Sequence, residues 1–263
     1  MWKGAEVSRT LANKEPLKPS TMRLNNGLIA VCMGPSGAGK TSLLETLLPD
    51  YGPVCVLDID GKAHVLRDHD DVDVYPCHTW QELDGYLQDL ERQSLHPQYK
   101  TLVVDGTTYM QVKLAWGKHK VDSIDNAQLR QTAYGKANAD MLDFGTRVRI
   151  LAERGMYVIY NIWSMLEGQE GEAGKRIQPD LTGTMLTRFL GGLDFVVYLE
   201  PNAPPKPYPP VMRTGGSQLY ATRTAVSPDS PLRDLPALIY NPSWASIFDS
   251  YRGEPWPTER HNK

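Results

Sequence analysis

Eight consecutive residues, Gly34-Pro35-Ser36-Gly37-Ala38-Gly39-Lys40-Thr41, satisfy every fixed position of the pattern G-x-x-x-x-G-K-[ST]. Roughly one random chain in a hundred of this length would match it. Glycines at these intervals let the backbone curl until successive N–H groups point inward at one anion, and phosphate is the anion that fits. Within such a loop Lys40 reaches the outer phosphate oxygens, the Thr41 hydroxyl ligates Mg²⁺, and Ser42 completes the cradle. The other half of a nucleotide site is an acid at the end of a buried strand, and Leu102-Val103-Val104-Asp105 supplies one. Asp105 is therefore the candidate for the metal shell, on a parallel strand expected beside the loop's own. A plain turn at Asp105-Gly106 is the alternative.

A residue that activates water is harder to find. Many phosphate-loop ATPases place a glutamate directly after the strand aspartate, but here Gly106 follows. The run Val54-Cys55-Val56-Leu57 ends in Asp58-Ile59-Asp60-Gly61, two carboxylates at i and i+2. In an extended segment both side chains emerge on one face. Asp60 is the candidate general base, with Asp58 supporting it or contacting the metal, against the alternative of an ordinary acidic turn.

These residues need a scaffold that brings several strand ends together. Leu28–Met33 reads as a buried strand, short and rich in β formers. Similar runs recur at Val54–Leu57, Leu102–Val104, Tyr157–Ile162 and Phe195–Leu199. Thr41–Leu48 supplies a helix after the loop. Thr79-Trp80-Gln81-Glu82 has capping-box spacing and opens another. A longer helical pattern runs from Asn126 to Glu153, with Gly155 where a C′ glycine belongs. Strands alternating with helices predict an α/β fold with a mainly parallel sheet flanked by helices. The chain divides into a polar arm (1–26), a core (27–200) and a C-terminal part (201–263). That last part opens with the proline-rich connector Pro201–Pro210, continues as a β-hairpin turning at Gly215-Gly216, and ends in a loop-rich tail.

Composition excludes several classes. The 263 residues are 41% hydrophobic and 22% charged, with a net charge of -3. No apolar run approaches the ~18 residues of a membrane span, and no signal peptide is visible in residues 1–26. Cys32, Cys55 and Cys77 read as buried reduced thiols, which predicts a cytoplasmic setting (host cytoplasm if the chain is viral). With an acidic balance, any polyanion site must be local rather than a global basic field.

Taken in order, Gly34–Thr41, Leu57–Asp60, Leu102–Asp105, the long helix, Tyr157–Ile162 and Gln178–Gly183 resemble the RecA superfamily of P-loop ATPases. The likeness is closest to the phage-type single-strand-annealing and recombination branch, and it covers about Gly27 to Thr224. The resemblance implies a RecA-like core, ATP and Mg²⁺ as ligands, and a homo-oligomer or filament on single-stranded DNA. A single-strand-binding protein is a further implied partner. It implies two DNA-facing loops, at about Trp116–Gln131 with Lys118-His119-Lys120 and at Ser164–Asp180 with Lys175-Arg176. Asn161 takes the γ-phosphate sensor position, followed by Ile162-Trp163 where the family has a polar residue. Arg223 stands where a cation is presented to a neighbour's phosphates, with Arg213 as its rival. Trp2-Lys3-Gly4-Ala5 resembles a subunit-docking segment. Two other readings stay open. One is a nucleotide or small-molecule kinase, since the loop also resembles that of guanylate-type kinases. The other is an ATP-gated loader or interaction protein.

Overall fold

The structure is a computed structural model that describes residues 27–92, 99–167, 176–182, 184–201, 210–216, 219–224 and 231–257. The polar arm with Trp2, most of the proline-rich connector, and Lys175 with the glycines around it lie outside the described residues. Among the described residues ten strands form one sheet: β1 (Ile29–Gly34), β2 (Val54–Asp58), β3 (Val72–Pro76), β4 (Thr101–Asp105), β5 (Tyr157–Glu167), β6 (Arg176–Pro179), β7 (Phe195–Leu199), β8 (Val211–Arg213), β9 (Arg223–Thr224) and β10 (Leu238–Tyr240). The spatial order is β10-β8-β7-β1-β5-β4-β2-β3, and every pairing from β7 across to β3 is parallel. β6 pairs antiparallel with the far half of β5. The expected α/β architecture is present.

Among the described residues four longer helices cover the sheet: α1 (Trp80–Glu91), α2 (Ala127–Glu153), α3 (Thr184–Gly191) and α4 (Trp244–Tyr251). The α1 capping box forms as its spacing predicts, with Thr79 Oγ1 accepting from the Glu82 N–H and Glu82 accepting from the Thr79 N–H. α2 begins at an Asn126 cap, runs unbroken through Gly135 and ends at Glu153, with Arg154 as its cap and then Gly155, whose φ of 101° suits a residue without Cβ. Central strands are buried on both faces, so their side chains split into two cores. One core packs β-strand residues such as Val31, Leu57 and Val104 against α1, α2 and α3. The other packs Ala30, Val56 and Val197 against Leu44, Leu47 and α4. Arg147 on α2 bridges to Glu91 and Asp84 on α1, tying two helices of the first layer together.

Four expectations need correcting. β4 is not beside β1, because β5 lies between them and pairs with both. The segment after the loop is a 3₁₀ run, Ser42–Leu47, rather than an α-helix. Pro49 follows it closely and has no N–H with which to extend a helix. The segment 116–131 is no mobile loop: it carries helical turns at Trp116–Lys118 and Val121–Ser123 and then the start of α2. Finally, the two arms of the expected C-terminal hairpin do not pair with each other among the described residues. Each adds antiparallel to a different stretch of β7, β8 at Tyr198–Leu199 and β9 at Phe195–Val196.

The tail was expected to be loop-rich, yet it holds β10 and α4. Ser243 caps α4, accepting from the Ser246 N–H, and Trp244, Ile247 and Phe248 are fully buried. Phe248 stacks on Tyr157 at 4.4 Å between centroids and meets Tyr51 edge-on at 5.0 Å. No helix of the described residues is long and apolar enough to cross a membrane. Replacing Phe248 with Ala should remove about 3–5 kcal/mol of stability. Urea denaturation checks this, and a loss below about 1 kcal/mol would mean that α4 is not part of the cooperative unit.

Candidate functional site

The phosphate loop follows directly from β1. Gly34 must be glycine because a Cβ there would lie 2.6 Å from the Leu199 carbonyl oxygen on β7. Gly37 and Gly39 hold φ of 79° and 92°, the left-handed region that lets the loop turn its amides inward. Lys40 is buried and folds across the loop, its Nζ donating to the carbonyls of Gly34 at 2.8 Å and Pro35 at 2.9 Å. Burial lowers its pKa, while the nearby acids oppose the shift. Together with Asp60, Asp105 and Trp163, the loop lines a cleft of about 220 Å³.

Across the intervening β5, Asp105 ends β4 at the same level. Its Oδ2 accepts from Thr41 Oγ1 at 2.8 Å and its Oδ1 from Asn161 Nδ2 at 2.9 Å. Asn161 sits on β5 directly opposite Asp105 in register, so the separating strand itself supplies the link. Burial drives the Asp105 carboxyl up to about 6, although the Asn161 and Thr41 hydrogen bonds pull it the other way.

Asp58 and Asp60 divide their work. Asp58 closes β2 and accepts from the N–H groups of Gly61 at 2.9 Å, Lys62 at 3.2 Å and Ala63 at 3.3 Å. It shapes the turn. Asp60 turns into the cleft, with only 6% of its side chain exposed, and pairs with Lys62 at 3.0 Å. Position 106 explains the missing glutamate. Gly106 has a φ of 96°, and a Cβ on it would lie 3.0 Å from both the Cβ and the amide nitrogen of Asp60. The space beside β4 is filled by a carboxylate reaching in from β2.

One ligand oxygen from each of Asp58, Asp60 and Asp105 can lie within 4.8 Å of the others. Oδ1 of Asp60 and Oδ1 of Asn161 are buried with no hydrogen-bond partner among the described residues. Clustered carboxylates with unsatisfied oxygens suit a hard divalent cation that prefers oxygen ligands, and Mg²⁺ fits that description.

Residues more remote from this centre fare differently. The Arg223 backbone pairs with Val196 through β9, and its side chain lies outside the described residues. Arg213 is committed to Glu200 and packs over the Tyr220 ring. Lys118 and His119 both meet Asp140, at 2.8 Å and 2.7 Å. Ser164–Glu167 and Arg176–Pro179 form an antiparallel hairpin carrying exposed Arg176 towards its tip. Two features escaped sequence reasoning. Lys62 reaches the cleft from the turn after β2, and the only sequence signal was its place beside Asp58-Ile59-Asp60-Gly61. A wider cavity of about 700 Å³ opens beside the loop, between Gly39, Ser42, Thr46 and the segment Asn241–Ser246. No periodicity marks that segment.

A family model described as "AAA domain" matches residues 26–226 of the chain. No curated protein matches it in sequence. Among solved structures, a KaiC-like protein from the hyperthermophilic archaeon Pyrococcus horikoshii OT3 is similar, with a TM-score of 0.41 and 14% identity over 72% of this chain and 79% of that one.

The Asp105 shift has a sign that can be tested. Folded Asp105 keeps its proton to about pH 6, whereas an unfolded aspartate releases it near 4, so this group's stabilising contribution is complete below 4 and lost as pH rises through 6. Asp105→Asn should therefore stabilise the protein at pH 8 by about 1–3 kcal/mol, and the gain should shrink towards pH 4. Urea denaturation at the two pH values reads this, and a variant less stable than the wild type at pH 8 would refute it.

Proposed function

The chain belongs to the AAA domain family, and from that premise we propose that it binds ATP and hydrolyses it with Mg²⁺. The observation that carries this reading is the convergence of three strand ends on one cleft. Thr41 lies 2.8 Å from Asp105, and the Asp60 carboxylate stands beside that pair at the mouth of the curled loop. Loop amides from Gly37 to Ser42 would wrap the phosphates, and Lys40 would leave its own carbonyls for the β and γ oxygens. The wider cavity beside Ser42 has room for the nucleoside end. Thr41 and Asp105 would hold Mg²⁺, whose contribution when bound is to screen the phosphate charge. Asp60 would orient and deprotonate the attacking water, and its burial keeps competing solvent away. Asn161 hydrogen-bonds to Asp105, and it would sense the end of the triphosphate.

The finer part of the proposal is stimulation by single-stranded DNA in recombination or annealing of the phage type, by a homo-oligomer. Its support is the course of β5. The strand carries Asn161 at the cleft and continues to Glu167 at the hairpin end, about 20 Å further on at 3.3 Å per residue. Phosphates that follow Arg176 at that end would act on the strand whose Asn161 hydrogen-bonds to Asp105. The segment 116–131 contributes less, because Lys118 and His119 are already paired with Asp140.

ATP turnover by the purified chain tests both parts. Lys40→Ala should abolish nucleotide binding. Asp60→Asn should keep binding and lower kcat by about 100-fold or more. Single-stranded DNA should raise kcat, and the rise should weaken with salt. No turnover with or without DNA would end the ATPase reading. Turnover indifferent to DNA would end only the DNA part, and transfer of the phosphoryl group to a nucleoside monophosphate would select the kinase reading instead.

A further inference from the structure

The cleft holds a second cation that the phosphate-loop pattern does not predict. Lys62 Nζ lies 3.0 Å from Asp60 Oδ2, 3.4 Å from Ser36 Oγ and 5.2 Å from the centroid of the Trp163 ring. Its position is fixed from below. Gly61, at a φ of 75°, makes the turn, and the Asp58 carboxylate accepts the N–H groups of Gly61, Lys62 and Ala63. Lys62 thus projects from a pinned backbone, and its side chain is 44% exposed. The partners are revealing. Ser36 belongs to the start of the loop, next to Pro35 whose carbonyl holds Lys40 Nζ, and this is the end where the outermost phosphate would lie. Asp60 is the carboxylate placed to work on water. Trp163 supplies a ring face, an attraction for a cation that is modest at a solvated site.

We propose that Lys62 is a catalytic cation acting within its own subunit, and that it also keeps Asp60 in check. This rests on the ATPase reading above. The Lys62–Asp60 pair and a γ-phosphate compete for one ammonium. A triphosphate in the cleft offers a denser negative charge than one carboxylate, so Lys62 moves to the γ-phosphoryl oxygens and leaves the Trp163 ring. That movement unpairs Asp60, which then accepts a proton from water. The water oxygen bonds to the γ-phosphorus, the bond to the β–γ bridging oxygen breaks with its electron pair retained by ADP, and the proton on Asp60 passes to solvent. Lys62 offsets the charge spreading over the γ-phosphoryl oxygens during this exchange. A diphosphate reaches no further than the β position and leaves the Lys62–Asp60 pair closed. Base activation is thereby tied to the presence of the third phosphate, with no help from a neighbouring subunit.

The test compares the wild type, Lys62→Ala and Lys62→Arg as full chains, with ATP and ADP affinities measured by calorimetry and kcat by phosphate release. Lys62→Ala should lose most of the preference for ATP over ADP, bringing the two affinities within about twofold, and kcat should fall by about 100-fold. Lys62→Arg should recover part of both. Tryptophan emission gives an independent readout. ATP but not ADP should alter a component that Trp163→Phe removes, and Lys62→Ala should silence it. Equal melting temperatures exclude a folding defect. A Lys62→Ala chain with wild-type kcat and an undiminished preference for ATP overturns the inference alone. A wild-type chain that binds neither nucleotide overturns the ATPase reading, and this inference falls with it.

Discussion

Burying carboxylates is the constraint around which the rest of this molecule is arranged. Asp58 and Asp105 are each less than a tenth exposed, and so is the Asp60 side chain. A charge removed from water is costly unless hydrogen bonds or cations replace the lost hydration. The three solve that problem in different ways. Asp58 takes three backbone N–H groups, Asp105 takes a hydroxyl and a side-chain amide, and Asp60 takes an ammonium. Only the first arrangement is self-sufficient. The other two retain unsatisfied oxygens nearby and, for Asp105, a carboxyl with raised proton affinity. Such residual cost is what a binding site looks like before its ligand offsets it.

Parallel strands make this concentration of charge possible. Because β1, β5, β4 and β2 run in one direction, their C-terminal ends open on the same edge of the sheet. Antiparallel pairing would have sent half of these residues to the opposite edge. The two apolar cores on either face hold the strands at fixed register, so site geometry is inherited from packing far from the chemistry.

Much of the chemistry was readable in the chain itself. Gly34–Thr41 announces its own geometry, since glycine spacing is a direct statement about backbone angles. β1, β2, β4 and β7 stood out as unbroken apolar runs because both their faces are buried. What sequence could not supply was the order of strands in space. Nothing local distinguishes a β4 adjacent to β1 from one separated by β5. β3 was missed for a related reason: it is an edge strand, with Asp73 exposed and Val74 more than a third exposed, and it carries no apolar run. α4 was missed because Pro242 and the aromatic residues around it suggested loop, while its stability comes from burying Trp244, Ile247 and Phe248 against distant strands. The Lys118-His119-Lys120 cluster was legible as charge, but its local partners were not. Asp140, 20 residues or more further on and on another helical segment, pairs with two of its members.

The close approach of Gly106 to Asp60 bears on how such sites can diverge. A glutamate directly after the β4 aspartate and an acid arriving from β2 contend for one volume, since any Cβ at 106 presses on Asp60 at 3.0 Å. A side chain at 106 would require Asp60 to give way by a few tenths of an ångström and would sit at a φ of 96°, so the two arrangements are alternatives for one space rather than additions to one another.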